Sequence, residues 1–332
     1  MVEGSSQEPP LVKGSLLEPP LVKDSCLEPP LVKGGRGDFL TKPEYTTKSK
    51  NFITMSTQSK TAEQLIAKVK SSSLKEEEKA VLVMALESMV DIPEGHYVMG
   101  SAGRVGLWAL LGIGGEVGHQ PDEGEYQTDV KPFCISKYAV TQALYQAVTG
   151  ENPSRHTNAQ YPVTNVSWGQ AVAFCEKLNE MADGLLPDGM RFGLPTEEQW
   201  EYACRAGTTT ALNNGKNLTA KKGSLPELDE VAWYEKNSEE HPHQVGQKKP
   251  NDWGLYDMHG NVWEWCSSMY YFDLGDIPEE ESEKDKALRR KCARGGSWHS
   301  RPSRCRSAQR GNFYADTRSD RIGFRLAIIS NG

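Results

Sequence analysis

The sequence lacks any apolar run of the length that a membrane span requires, which is about 18 consecutive residues. Its best candidate, residues 105–115, is short and contains four glycines, so we expect no membrane span. The chain also has fewer basic than acidic residues, with a net charge of −7 and a pI of about 5.6. A basic nucleic-acid groove is therefore not expected. The first three residues carry no positive charge and no apolar stretch follows them, so no signal peptide is recognisable.

Paired cysteines are missing too. The seven cysteines stand at positions 26, 134, 175, 204, 266, 292 and 305, and no two form a CxxC pair. This spacing argues against zinc-ribbon and thioredoxin-type sites. Scattered cysteines are most often small buried apolar residues. One or two disulfides remain compatible with an extracellular chain.

The remaining composition is that of a folded protein. Hydrophobic residues make up 37% of the chain and charged residues 25%, which excludes a wholly disordered chain. Eight tryptophans accompany 31 glycines. This combination favours a loop-rich fold held together by aromatic packing.

Residues 1–50 read as a disordered, proline-rich arm. The hexapeptide EPPLVK occurs three times, at residues 8–13, 18–23 and 28–33. Consecutive prolines favour extended polyproline II, and each repeat is too short to bury a core. We interpret the arm as a spacer, with a ligand for a proline-reading module as the alternative. Arg36-Gly37-Asp38 spells RGD, which defines a third functional class, adhesion.

Residues 51–90 are predicted to form a helical hairpin that packs on the main domain. Two capping-box patterns begin at Thr61 and Ser73, and each is followed by apolar residues at helical spacing. A partner-binding amphipathic helix is the alternative.

Residues 91–332 are predicted to form an α+β domain with few helices. Helical spacing occurs near residues 140–150 and 167–181, and again after Pro195, where Thr196 is the expected cap. Short apolar runs interrupted by Gly, Pro, Asn and Asp fill the rest, as in short strands joined by loops.

Eight segments in order carry a family resemblance. They are residues 89–101, 133–150, 165–168, 194–203, 254–258, 260–265, 294–298 and 323–326. With these motifs the chain resembles the formylglycine-generating-enzyme (sulfatase-modifying factor) superfamily over residues 89–328. The resemblance implies a C-type-lectin-like fold with a small antiparallel sheet.

The resemblance does not by itself imply the enzyme's chemistry. Oxidase members hold copper with two cysteines downstream of the Gly-Gly-Ser motif. Here Ser300 stands at the first of these positions, while Cys305 falls at the second or matches a structural half-cystine. A serine hydroxyl is a poor Cu(I) ligand, so we expect no copper and no catalysis. His241, His243, His259 and His299 are scattered in sequence, and we expect structural or solvent roles for them. The alternative is an oxidase with an altered thiol site in which Cys305 is a residual nucleophile.

Residues 295–326 in particular resemble the variable region of TvpA-like proteins, which are diversified by retroelements. In such systems adenines of Asn codons are mutated, which yields every residue type except Lys, Glu, Gln, Met and Trp. Thirteen candidate positions contain none of the five excluded types: His299, Ser300, Arg301, Ser303, Arg304, Gly311, Asn312, Phe313, Tyr314, Thr317, Ser319, Asp320 and Arg321. We predict that they form a variable ligand-binding surface, with Trp298 as an anchor. An ordinary surface loop rich in Arg and Ser is the alternative.

The resemblance also implies a structural site and a location. Calcium would be held by the carbonyls of His259, Gly260 and Val262 and the carboxylate of Glu264. Alternatively, Glu264 is buried and hydrogen-bonded by backbone amides. Cys204 and Cys305 are the candidate disulfide, against seven free thiols. The family is expected outside the cell or at its surface. We expect a monomer that binds a macromolecular or cell-surface ligand.

Overall fold

The computed structural model describes residues 59–103, 115–272 and 290–330. The EPPLVK repeats, the RGD tripeptide and Cys26 lie outside these described residues. All described residues belong to one compact unit, Ile53–Gly332. None of the helices in these ranges is long and apolar enough to cross a membrane.

Six helices occur in the described parts of the chain. They are α1 (Lys60–Ser71), α2 (Glu76–Glu87), α3 (Gln142–Thr149), α4 (Trp168–Met181), α5 (Glu197–Arg205) and the single turn α6 (Pro226–Asp229). Predicted helices near residues 140–150, near 167–181 and after Pro195 are confirmed as α3, α4 and α5. Thr141, Ser167 and Thr196 cap them, each accepting a hydrogen bond from a backbone N–H of the first turn.

The helical hairpin exists, but its predicted caps are wrong. Ser59 caps α1, accepting from the backbone N–H of Ala62, and α2 begins after Lys75, whose backbone N–H donates to Glu78. Ser59, and not Thr61, caps α1 because the Ser59 hydroxyl also donates to Asp91 at 2.6 Å. This hydrogen bond connects the hairpin to the first strand. Buried Leu65 and Leu82 belong to the main core, so the hairpin packs on the domain as predicted.

Nine strands in the described ranges form two sheets. They are β1 (Met89–Ile92), β2 (Gly95–Met99), β3 (Tyr126–Val130), β4 (Phe133–Ala139), β5 (Met190–Gly193), β6 (Trp263–Met269), β7 (Arg290–Arg294), β8 (Arg310–Tyr314) and β9 (Ile322–Ser330). The main sheet has the order β1-β4-β9-β6-β7-β8, with β5 paired to β9, while β2 pairs with β3 alone. The expected antiparallel pattern holds except between β6 and β9, which run parallel.

The side chains of β9 alternate between the two faces of the sheet, so this strand lies between two hydrophobic cores. Ile322, Phe324, Leu326 and Ile328 pack with the helices α1–α4. Ala327 and Ile329 pack on the opposite face, with residues of α5 such as Trp200. The C-terminal segment therefore lies at the centre of the sheet as well as at its β8 edge.

Buried ion pairs join α5 to the C-terminal segment. Glu201 and Arg294 form an ion pair in which both side chains are fully buried. Glu201 also accepts from Arg205 Nε at 2.8 Å. Glu197 accepts from Arg310 Nε at 2.8 Å and lies 3.5 Å from Arg294 Nε. Burial alone would raise the pKa of Glu197, but the charges of Arg294 and Arg310 hold it below its ordinary value. Glu197 is therefore ionised, and its pairing with Arg294 and Arg310 joins α5 to the end of β7 and the start of β8.

Replacing Glu201 by glutamine should remove about 3–5 kcal/mol from the free energy of unfolding, because two buried guanidinium groups lose their carboxylate. Glu176→Gln, on the exposed face of α4, is the matched control and should change it by less than about 0.5 kcal/mol. Urea denaturation measures both. Equal effects of the two substitutions would contradict a structural role for the ion pair.

Candidate functional site

The C-terminal segment alternates between buried and accessible residues. The buried residues of this segment outside the thirteen candidate positions include Gly295, Gly296, Ser297, Trp298, Pro302, Cys305, Arg306, Ser307, Ala308, Arg310, Ile322, Gly323, Phe324 and Arg325. Between them the backbone returns to the surface. The guanidinium groups of Arg306, Arg310 and Arg325 point inward, toward carboxylates on other elements.

Eleven of the thirteen predicted binding residues lie at least partly at the surface. Five are exposed, namely His299, Arg301, Arg304, Tyr314 and Arg321, and six are half-buried, namely Ser303, Asn312, Phe313, Thr317, Ser319 and Asp320. These eleven positions are therefore accessible to solvent, and their role in binding stays a prediction.

Ser300 and Gly311 are the two exceptions. The buried hydroxyl of Ser300 accepts from the backbone N–H of Ser297 at 2.9 Å, which closes a tight turn. A Cβ at Gly311 would lie 2.9 Å from the Trp263 ring and 3.0 Å from the carbonyl oxygen of Ala293. Ser300 therefore shapes the turn, and Gly311 allows close packing, so neither presents a side chain to a ligand.

Trp298 joins the two ends of the segment. Its indole N–H donates to the carbonyl of Asp320 at 3.0 Å, and its backbone N–H donates to Asn261 at 2.8 Å. His299 packs edge-on against the indole, with ring centroids 5.3 Å apart, and the Arg321 guanidinium lies 5.4 Å from the ring centroid. Trp298 is only 5% exposed, so the predicted anchor role fits.

The remaining surface positions group elsewhere. Asn312 and Tyr314 both contact Arg290 on β7, the latter through a cation–π distance of 4.9 Å. Phe313 packs edge-on against Trp263 and Trp265, which leaves Tyr314 as the exposed ring of the pair, at 49%.

Ser303 packs against Gly118, where a Cβ would come within 2.8 Å of the Ser303 side chain.

Histidines that look scattered in the sequence meet in the structure. Neighbouring rings have centroids 3.7 to 6.4 Å apart. We call this group the aromatic strip; it runs through Trp233, His243, His241, His156, Trp298 and His299, and Tyr161 stacks on His241 at its side. His259 is not part of it. Sequence reasoning missed the strip because its members come from three loops, and no spacing pattern links them.

The predicted disulfide is not formed. Cys204 and Cys305 are both free and buried. The imidazole of His259 contacts both residues, because its Nδ1 donates to the Cys305 carbonyl at 2.7 Å and its Nε2 lies 3.8 Å from Cys204 Sγ. Burial raises the pKa of Cys204 to about 12 and that of Cys305 still further above its ordinary value. Both thiols are therefore protonated at neutral pH.

The geometry around Glu264 does not fit the predicted calcium site. Glu264 is 1% exposed, and its two oxygens accept from Arg325 at 2.9 Å each and from the Trp200 indole at 2.6 Å. The expected alternative was burial against backbone amides; the partners are side chains instead. With its charge already neutralised, this carboxylate is not available as a cation ligand beside the His259, Gly260 and Val262 carbonyls. Within the described ranges no three His, Cys, Asp or Glu side chains are grouped to hold a metal ion.

A cavity of about 520 Å³ is lined by none of the thirteen positions. Its walls include Asp122, Tyr126, Glu198, Phe272 and Arg310. Burial, and then the negative charge of Glu198, raises the pKa of Tyr126 above its ordinary value.

Comparison with known proteins places this arrangement in a family. The model for the sulfatase-modifying factor enzyme 1-like domain matches residues 74–329. The chain belongs to this family. Members can share the fold without the chemistry: the chain is 29% identical over 196 residues to the formylglycine-generating enzyme of Mus musculus. It is also 29% identical over 205 residues to the inactive C-alpha-formylglycine-generating enzyme 2 of Bos taurus.

Coverage differs among these relatives. The chain spans 50% and 57% of those two proteins, but 79% of the chaperone protein LppX of Paenibacillus barcinonensis, to which it is 28% identical over 245 residues. Among solved structures, Treponema denticola variable protein 1 superposes with a TM-score of 0.57 and 27% identity. That match covers 72% of this chain and 94% of the other. The likeness confirms the resemblance and the fold expected from the family motifs.

His259 generates a pH-dependent prediction. Burial lowers its pKa to about 4, so the native imidazole stays neutral while the unfolded chain takes up a proton below about 6.5. Native stability should therefore fall by about 3 kcal/mol as pH drops from 7 to 4, beyond any change seen in His259→Gln, which has no such proton uptake. Urea denaturation of both proteins across this range measures the difference. Parallel pH profiles would refute a buried neutral imidazole.

Proposed function

We propose that the protein is a non-enzymatic ligand-binding member of its family. Its C-terminal segment would present a surface diversified by a retroelement. The observation that carries the proposal is the alternation described above. Residues of the scaffold are buried and ion-paired, while eleven of the thirteen candidate positions between them reach solvent. A surface built in this way can change its side chains without changing its core, because surface substitutions seldom alter stability by more than about 0.5 kcal/mol.

The composition of the surface also supports recognition. Exposed His299, Arg301, Arg304, Tyr314 and Arg321 are of types that supply binding energy at interfaces. The structural likeness to a variable protein of Treponema denticola points the same way. We propose a macromolecular ligand at the cell surface or outside the cell, bound by a monomer.

The geometry supports an oxidase activity less well than it supports ligand binding. Ser300 is buried in its turn, and the Cys305 thiol is protonated and fully buried. A thiol oxidase needs reactive thiolates that a substrate can reach.

Simultaneous substitution tests the tolerance of the surface. We expect that changing His299, Arg301, Arg304, Tyr314 and Arg321 together to asparagine lowers the free energy of unfolding by no more than about 2 kcal/mol. Gly311→Asn alone should lower it more, because its Cβ meets the Trp263 ring. Both variants are compared by urea denaturation. If the variant with all five substitutions fails to fold while Gly311→Asn is stable, the proposal is contradicted.

A direct assay separates binding from catalysis. With added copper and a cysteine-containing sulfatase peptide, we expect the purified protein to consume no oxygen above the rate without protein. Sequencing of the neighbouring DNA should show a reverse transcriptase and a near-copy of the segment that differs mainly at adenines. Reproducible turnover would refute the non-enzymatic proposal, and absence of the near-copy would refute diversification.

A further inference from the structure

The cavity of about 520 Å³ has the size of a small-molecule site, which is about 300–1,000 Å³. Glu198 on α5 and Asp122 in the connection between β2 and β3 contribute to its walls. Phe272 is 64% exposed, whereas Met99, which also lines the cavity, is 2% exposed. The cavity therefore extends from the solvent to a buried floor.

The walls are held in place by packing and by hydrogen bonds within the chain. Gly100 has a φ of +94°, and a Cβ there would lie 2.6 Å from the carbonyl oxygen of Glu123 and 2.5 Å from that of Gly124. The connection between β2 and β3 thus packs directly on this glycine. On the α5 side, the Tyr97 hydroxyl donates to the carbonyl oxygen of Glu198 at 2.8 Å. Such preorganised walls limit the entropy lost when a ligand binds.

Two of the five carboxylates that line the cavity are already neutralised. Glu123 accepts hydrogen bonds from Arg306 at 2.6 and 2.8 Å. Glu201 accepts from Arg205 Nε at 2.8 Å and also forms its buried ion pair with Arg294. These two carboxylates therefore belong to the scaffold.

Arg310 is the basic residue of the wall, and its guanidinium is also engaged. Its Nε and Nη2 groups donate to Glu197 at 2.8 and 3.0 Å. Its Nη1 group donates to the carbonyl oxygens of Asp122 and Tyr271 at 2.9 and 3.0 Å. The charge and most of the donors of Arg310 are thus used within the chain, so the cavity is poorly suited to an anion.

The other three carboxylates of the wall keep their negative charge. They are Asp122, Glu125 and Glu198. Asp122 accepts from the Tyr270 hydroxyl at 2.7 Å, which is a neutral donor. In the parts of the chain that the structure describes, no Lys, Arg or His side chain forms an ion pair with any of the three. The wall therefore has an excess of negative charge that a ligand can neutralise.

Apolar groups lie beside these carboxylates. The rings of Tyr126 and Phe272 and the thioether of Met99 line the same cavity. The Tyr126 hydroxyl donates to the Met99 sulfur at 2.7 Å, which fixes the tyrosine ring. Aromatic faces attract organic cations, and methylene groups pack well on rings and thioethers. The wall thus combines negative charge with surface for an aliphatic chain.

We propose that this cavity binds an aliphatic polyamine, a small organic cation whose ammonium groups are joined by methylene chains. Its ammonium groups would meet the three carboxylates, and its methylene groups would pack on the apolar side chains. Within the described ranges no three His, Cys, Asp or Glu side chains are grouped to hold a metal ion, which favours a cation with dispersed charge. The inference goes beyond the proposed function, because none of the thirteen positions lines this cavity.

Binding of spermidine to the full chain, measured by calorimetry, tests the proposal. The comparison probes are neutral heptanediol, Mg²⁺ and lysyl-lysine amide, a peptide with as many ammonium groups as spermidine. We expect spermidine to bind, with an affinity that falls as salt increases. We expect each comparison probe to bind at least about tenfold more weakly.

Matched variants locate the site. Glu125→Gln combined with Glu198→Gln should weaken spermidine binding about tenfold, because two carboxylates that meet ammonium groups are lost. Glu176→Gln combined with Glu180→Gln removes the same charge from the exposed face of α4 and should leave binding unchanged. Phe272→Ala should weaken binding about threefold, the scale of an exposed cation–π contact. Circular dichroism shows whether each variant is folded.

Three results would overturn the proposal. They are no binding of spermidine by the unaltered chain, equal weakening by the substitutions on α4, and equal or tighter binding of Mg²⁺ or lysyl-lysine amide. These results do not depend on whether the C-terminal segment varies between isolates, so failure of the polyamine site and failure of the proposed function can be told apart.

Discussion

Buried pairs of arginine and carboxylate are the interaction on which the rest of this structure depends. Arg294, Arg306, Arg310 and Arg325 all lie in or next to the C-terminal segment, and each is at most 5% exposed. A buried guanidinium must meet a carboxylate, because an unpaired charge in the interior costs several kcal/mol. Each of these arginines can therefore be buried only where a carboxylate is placed to pair with it.

The partners of these arginines explain why the pairs organise the whole domain. Arg294 and Arg310 reach Glu197 and Glu201 on α5, and Arg325 reaches Glu264 on β6. Arg306 pairs with Glu123, which lies in the connection between β2 and β3, shortly before β3. The C-terminal segment is thus fastened at four points to elements far apart in sequence. The exposed side chains between those points are expected to contribute little to stability, which makes a changeable surface physically reasonable.

Much of the fold could be predicted from the sequence, because local signals agree with the tertiary structure. Thr141, Ser167 and Thr196 stand before apolar periodicity and do cap their helices. Ser59 was missed because its choice over Thr61 depends on Asp91, thirty-two positions away. The ion pairs were missed for the same reason. Glu197 reads as an ordinary first-turn acid, and only the meeting of α5 with β7 and β8 turns it into a buried partner. The one sequence signal for this role was that Glu197 stands in a motif rich in acidic residues.

The candidate site shows the same limit. The thirteen candidate positions could be listed from the sequence, and eleven of them are exposed or half-buried. Ser300 and Gly311 could not be separated from their neighbours, because a turn hydrogen bond and the approach of a tryptophan ring are not encoded in residue type. Family motifs likewise suggested calcium and a disulfide, since they show which residues are present but not that Arg325 and His259 occupy the space between them.

Sequencing the C-terminal segment in many clonal isolates tests the central claim most directly. The account predicts that substitutions concentrate at the eleven accessible positions and arise from adenine changes, while Arg294, Arg306, Arg310 and Arg325 stay constant. An identical segment in every isolate, or substitutions that fall equally on the buried arginines, would contradict it.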